Sequence, residues 1–209
     1  MAFIEPVTLT GRHHVILEPI HPGHEEELLQ AAQDGELWKL WYTSVASPEA
    51  LFDYVQAALR MQKEQGALAF VVRRKSDNKV VGSTRYFNVD AKNRRLEIGH
   101  TWYSRSVQRT GLNTEAKLIL LKHAFETLDC IAVEFRTHWF NFQSRTAIAR
   151  LGARQDGVLR NHQLAPNGTL RDTVVFSIIQ SEWPTVKAHL RSLLDRYPPN
   201  ATVSKGIDA

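Results

Sequence analysis

The sequence predicts an α+β protein, with one mixed, mostly antiparallel sheet, a central parallel pair of strands and helices covering both faces. Three observations predict it. Segments 67–74, 79–88 and 94–103 read as strands separated by short turns at Ser76-Asp77-Asn78 and at 90–93, the pattern of an antiparallel meander. The strand at 97–103 then runs through a polar turn with one glycine into a long apolar helix, and another strand follows at 131–138. Such a strand–helix–strand unit pairs its strands in parallel, with a right-handed crossover. Finally, segments 155–163 and 170–180 bracket Pro166-Asn167-Gly168, a strong turn.

Taken in order, residues 7–11 and 14–19 read as short strands broken at Gly11-Arg12. A helix over 25–33 opens on three glutamates, which complement its dipole, and stops at Asp34-Gly35. The next piece, 36–42, gathers Trp38, Trp41 and Tyr42. Ser47 is an N-cap candidate and Pro48 suits a first helical position, so 50–63 continues as an amphipathic helix ended by Gln65-Gly66. Within 97–103, strict alternation places Ile98 and Trp102 on one face and Gly99 and Thr101 on the other. From Leu112 the spacing changes to that of a helix, through Ala116, Ile119, Leu120, Ala124, Phe125 and Leu128. A helix over 141–151 stops at Gly152, and a terminal helix spans 182–197 before a frayed tail.

Composition sets bounds on function. The chain has 209 residues, 43% hydrophobic and 23% charged, which suits one sizeable core in a soluble globular protein. No apolar run approaches the roughly 20 residues that span a bilayer, and the early Glu5 and Pro6 do not read as a signal peptide. The single cysteine, Cys130, excludes an internal disulfide and fits a reducing compartment, so a cytoplasmic protein is expected. The net charge of +4 is local: residues 101–160 hold nine Lys/Arg against five Asp/Glu, and the remainder is balanced. That surplus coincides with Gln108-Arg109-Thr110-Gly111-Leu112-Asn113, the polar turn feeding the long helix. A helix N-terminus offers unpaired N–H groups and a positive dipole end, so this turn is a candidate phosphate site, or else an ordinary connection whose glycine relieves strain.

These residues resemble the GNAT superfamily of acyl-CoA N-acyltransferases, and within it the Rim-type branch that acetylates ribosomal-protein N-termini. The family's loop is glutamine or arginine, two residues, glycine, one residue, then glycine or alanine. Gln108, Arg109, Thr110, Gly111 and Leu112 fit, and Asn113 replaces the final small residue. Thr114-Glu115-Ala116, Glu97-Ile98-Gly99, and Asn141, Ser144, Ala147 with Leu151-Gly152 match runs of this branch. The resemblance covers residues 7–180 in element order. It implies a GNAT fold with residues 1–180 as the acyltransferase domain and 181–209 as a helix and tail packed on or trailing it.

The resemblance also implies roles. Acetyl-CoA would be the co-substrate and a primary amine, on a protein N-terminus or a small molecule, the acceptor. Main-chain groups around Trp102 and Tyr103 would hold the pantetheine and polarise the thioester. N–H groups from Arg109 to Thr114, following Gln108, would hold the pyrophosphate, and Asn141 and Ser144 would contact the arm. Glu97 is the candidate base, against a solvent-facing carboxylate paired with Arg94 or Arg95. The tyrosine that many members use as acid is replaced by Ile148, and Ser144 is the nearest substitute. Trp38, Trp41 and Tyr42 would wall the acceptor site, with Asn161, His162 and the turn at 165–168 opposite. No metal is expected. A homodimer is compatible with the sequence, and membrane or nucleic-acid partners are not expected.

Other readings compete. A P-loop NTPase needs lysine and Ser/Thr after its second glycine, and both are absent. A nucleic-acid-binding domain would use Trp139, Phe140 and Phe142 with the basic region, but no basic run or recognition motif accompanies them. A GNAT-fold protein that binds CoA without catalysis is the remaining alternative.

Overall fold

The computed structural model describes residues 3–43, 45–165 and 167–197. Its elements are β1 (Leu9–Thr10), β2 (Val15–Pro19), α1 (Glu25–Gln33), α2 (Leu51–Gln65), β3 (Leu68–Arg74), β4 (Val80–Asp90) and β5 (Arg95–Tyr103). After them come α3 (Gly111–Glu126), β6 (Ala132–His138), α4 (Phe142–Arg150), β7 (Arg154–Leu164), β8 (Leu170–Ile179) and α5 (Trp183–Leu194). The eight strands form one sheet in the order β1-β2-β3-β4-β5-β6-β8-β7. Among these described strands only β5 and β6 run parallel, joined by the α3 crossover, and every other neighbouring pair is antiparallel.

Two apolar cores separate the helices. On one face Leu28, Ala31, Leu51, Val55 and Ala58 of α1 and α2 pack on Ala69, Val71 and Val80. On the other, α3 and α5 bury Leu112, Ala116, Leu120, Trp183 and Leu190 against Phe70, Tyr86, Ile98 and Phe135, and α4 adds Ile148. α3 is buried nearly all round, as its apolar composition requires. α5 is tied to it by Trp183, whose ring stacks on Phe125 at 5.3 Å and whose Nε1 donates to Glu126 at 2.8 Å.

Most expected elements are present with ends moved by a few residues. The N-terminal strand shrinks to Leu9–Thr10. Pro48–Ala50 forms a 3-10 turn before α2, and Ser47 supplies no side-chain cap. α2 ends on Gly66, which takes the left-handed conformation (φ 64) that glycine adopts without strain. Pro166 and the tail from 198 lie outside the described residues. No helix among the described residues is long and apolar enough to cross a membrane.

Candidate active site

β5 and β6 pair over only three positions, Arg95↔Ala132, Leu96↔Val133 and Glu97↔Glu134. Beyond these, β5 stays on β4 through Ser83↔Trp102 and Gly82↔Tyr103, and β6 stays on β8 through His138↔Thr173. The sheet therefore parts after Glu97, and the two facing edges keep main-chain groups free for an extended amide-bearing chain. A bulge shapes the slot. Arg85 opposes Gly99 and Ser83 opposes Trp102, so β5 carries one extra residue, and His100 absorbs it at φ 49.

The bulge corrects the expected alternation. Ile98 packs in the α3-side core and Trp102 in the α1–α2 core, because the extra residue reverses the faces beyond it. Thr101 consequently turns toward α3. There its Oγ1 lies 2.8 Å from Thr84 Oγ1 and accepts from Lys117 Nζ at 2.8 Å. Lys117 is 5% exposed, and burial pulls its pKa down to about 7. At Gly82 a Cβ would come 2.2 Å from the Trp102 carbonyl oxygen, so only glycine fits opposite this part of β5.

The mouth of the slot is the N-terminus of α3. Arg109 is left-handed (φ 61), and Thr110 is the N-cap, its hydroxyl accepting from Leu112 N–H at 3.3 Å. Among the described residues outside regular elements, no acceptor is found for the N–H groups of Arg109 and Thr110, and the first helical N–H groups lack intrahelical partners by geometry. Asn113 Oδ1 and Tyr103 Oη are buried without a hydrogen-bond partner. Gln108 Nε2 donates to the Tyr103 carbonyl at 3.1 Å and so ties the loop to the end of β5. Across the slot, Asn141 caps α4, its Oδ1 accepting from Ser144 N–H at 3.0 Å. Arg150 bridges to Thr114 Oγ1 at 3.0 Å. These orphaned donors at a helix terminus, beside an open strand edge, fit a phosphate-bearing ligand with an extended amide arm.

Gly111 has a different reason from the one its loop position suggests. A Cβ there would lie 2.8 Å from His14 Nε2 and 2.9 Å from Tyr197 Cβ. The missing side chain lets the β1–β2 turn and residue 197 reach α3. The same junction is held by Glu115, whose carboxylate accepts the main-chain N–H groups of His13, His14 and Val15 at 2.5–3.0 Å.

Glu97 sits where the strands part. It is 3% exposed, not solvent-facing, and neither sequence-suggested partner binds it: Arg94 pairs with Asp129 and Arg95 with Glu134. Instead Asn88 Nδ2 donates to Glu97 Oε2 at 2.9 Å, and Arg136 Nε lies 3.4 Å away. Burial outweighs these partners and raises its pKa above the usual 4.5. Glu97, Asn88, Arg95, Glu134 and Arg136 line a polar groove of ≈ 430 Å³.

The aromatic segment after α1 crosses the end of β6. Trp41 stands 5.1 Å from the His138 ring and 5.9 Å from Phe140, with Tyr42 6.5 Å from His138. His138 pairs with Thr173, which His162 Nδ1 contacts at 3.1 Å. Trp41, Tyr42 and His162 are thus joined through His138, a residue that no motif in the sequence singles out, and Trp38 packs on the α1–α2 core. Phe140 N–H donates to His138 Nδ1 at 3.0 Å, leaving the neutral ring's proton on Nε2, and burial lowers its pKa. Sequence position alone could have flagged His138, a histidine ending a strand directly before Trp139-Phe140. Ser144 makes no side-chain hydrogen bond among the described residues, and Cys130 is buried, its thiol pushed up to about 12. Among the described residues no group of three or more His, Cys, Asp or Glu is placed to hold a metal ion.

Comparison with known proteins agrees with this geometry. Residues 14–154 match the acetyltransferase (GNAT) domain family. The Bacillus subtilis (strain 168) protein named “Putative ribosomal N-acetyltransferase YdaF” is 32% identical over 107 residues, which span 51% of this chain and 57% of that protein. A crystal structure of a “putative acetyltransferase” from T. thermophilus is 34% identical with a TM-score of 0.79, covering 91% of this chain and 98% of that one. Mycobacterium smegmatis RimJ, solved in complex with CoA-disulfide, shares the fold at 20% identity and a TM-score of 0.76, covering 91% and 96%. With the parted parallel strands and the open α3 N-terminus in the same region, the chain belongs to the GNAT family of N-acetyltransferases.

Proposed function

We propose that this chain moves an acetyl group from acetyl-CoA to a primary amine by direct attack in a ternary complex. The observation that carries the proposal is the position of Glu97, a buried carboxylate of raised pKa at the point where β5 and β6 separate. Acetyl-CoA supplies an activated acyl carbon. The N–H groups from Arg109 to Thr114 would hold its pyrophosphate, and the free edge of β5 around Trp102 and Tyr103 would pair with its arm. Asn141 and Ser144 would contact that arm from α4. Glu97 would take the proton of the attacking ammonium, directly or through water in the adjoining groove, and hand it to solvent. Its raised pKa favours this role, since a base works best when its pKa approaches the operating pH. With Ile148 at the position where the family resemblance implies a tyrosine in many members, the thiolate would leave through water or with the Ser144 hydroxyl nearby.

The acceptor would enter between the Trp41–Tyr42 segment and the His138–Thr173–His162 row. A ribosomal-protein N-terminus is one candidate, in line with the names of the relatives, and a small amine is the other. Thiol release from acetyl-CoA across a panel of peptide and small amines tests the function. Release that depends on the amine supports it. CoA binding without release from any amine would leave the CoA-binding alternative.

A further inference from the structure

The acceptor face carries more positive charge than its own carboxylates neutralise. Glu97, Glu134 and Arg136 share that face, with Arg136 ion-paired to Glu134 at 3.0 Å and to Glu97 at 3.4 Å, although its Nε makes no hydrogen bond. Two further guanidiniums have no such partner. Arg171 lies on β8, two residues from Thr173, and so on the same face as His138. Its Nε is buried without a hydrogen-bond partner, and among the described residues it forms no ion pair. Its electrostatic neighbour is Glu97, while His138 shares its field and is held neutral by burial. Arg85, opposite Gly99 on β4, is 2% exposed. Its guanidinium lies 5.5 Å from the Tyr54 ring centroid, with Nη1 at Met61 Sδ, and its Nε is unpartnered. A buried N–H without a partner is costly, and each such group calls for an explanation, a ligand that supplies the acceptor among them.

We infer that the acceptor carries a carboxylate close to its reacting amine, and that Arg171 receives this carboxylate while Arg85 adds to the positive potential of the sheet face. This rests on the acetyl-transfer reading above, because it places the amine at Glu97. The geometry follows from the strand register. Arg171 sits beyond His138 toward the open end of the sheet, and its field reaches Glu97, so an amine held at Glu97 leaves a nearby anion facing Arg171. Two sources share this chemistry, the α-carboxylate of a free amino acid and an acidic side chain near a peptide N-terminus.

The experiment compares alanine with alaninamide, and the tripeptide amides Ala-Asp-Ala and Ala-Asn-Ala, in kcat/KM and in calorimetric binding to the CoA-loaded protein. The carboxylate member of at least one pair should be preferred about 10- to 100-fold, the range of a charge-assisted hydrogen bond. Which pair responds identifies the source. Arg171→Met should erase the preference mainly through KM, and Arg171→Lys should restore part of it. Equal use of both members of each pair, or an equal loss for both in Arg171→Met, overturns the inference. Thiol release without any preference sinks the inference and leaves acetyl transfer standing. A preference in binding without thiol release from any amine supports Arg171 and removes the transferase reading.

Discussion

Replacing Glu97 by Gln separates chemistry from folding at this site. The side chains are isosteric, and Asn88 Nδ2 at 2.9 Å can still donate to the amide oxygen. Arg136 keeps Glu134 at 3.0 Å, and Arg171 loses the field of Glu97 without losing a direct ion pair. The stability consequence has a definite sign. The folded-state pKa of Glu97 is raised, so the group favours folding below the unfolded pKa and loses that contribution as pH rises through the folded value. At neutral pH its ionisation therefore weighs against the fold, and Glu97→Gln should melt no lower than the parent. Turnover should fall about 100-fold, since a general base contributes roughly 10² to 10⁴, and a 100-fold loss is about 2.7 kcal/mol of barrier. The acidic limb of the kcat/KM profile set by Glu97 should vanish, so the deficit is largest just above its pKa and narrows as the free amine becomes abundant. Steady-state thiol release across pH, with calorimetric CoA affinity alongside, measures all of this. An unchanged profile, or a loss of CoA affinity or of melting temperature in place of turnover, would refute the role of base.

The mouth of the slot and the buried titratable groups give three more expectations. Arg109→Glu reverses charge on a loop residue beside the open α3 terminus, so CoA affinity should drop about tenfold or more by calorimetry while melting stays within about a degree or two; unaltered affinity would remove the phosphate assignment. Lys117, with its pKa near 7 in the fold against the usual 10.5, is neutral when folded and charged when unfolded between those values. Parental stability should thus rise by up to about 1.4 kcal/mol per pH unit above pH 7, and Lys117→Met should flatten that slope in denaturant titrations. Cys130, buried and pushed up to about 12, should resist alkylation at mildly alkaline pH until the protein unfolds; prompt labelling of the native chain would contradict its placement.

The strands, their order around the α3 crossover and the polar turn that opens α3 were legible because each is encoded locally. Alternation, turn residues and helical spacing report on short segments, and the long apolar run from Leu112 identifies a helix covered on most sides. Face assignment along β5 was not legible. A single bulged residue at His100 reverses everything after it, and positive φ is uncommon at any one non-glycine residue, so the alternation gives no warning of it. Gly111 was legible as important and misleading as to why, since His14 and Tyr197, distant in sequence, close on it only in the folded chain.

By itself, then, the sequence determined the class of sheet, the parallel unit and the helix terminus at its mouth, all consequences of local backbone preference and period. Only the tertiary structure decided which polar groups share a face and what burial does to them. Glu97 became a buried carboxylate beside Asn88 and Arg136, Lys117 a solvent-starved amine held by two threonines, and Arg171 a guanidinium whose buried Nε has no hydrogen-bond partner. Protonation and pairing depend on what the surrounding chain removes from water and brings within a few ångströms, and that is fixed by register and packing across the whole sheet.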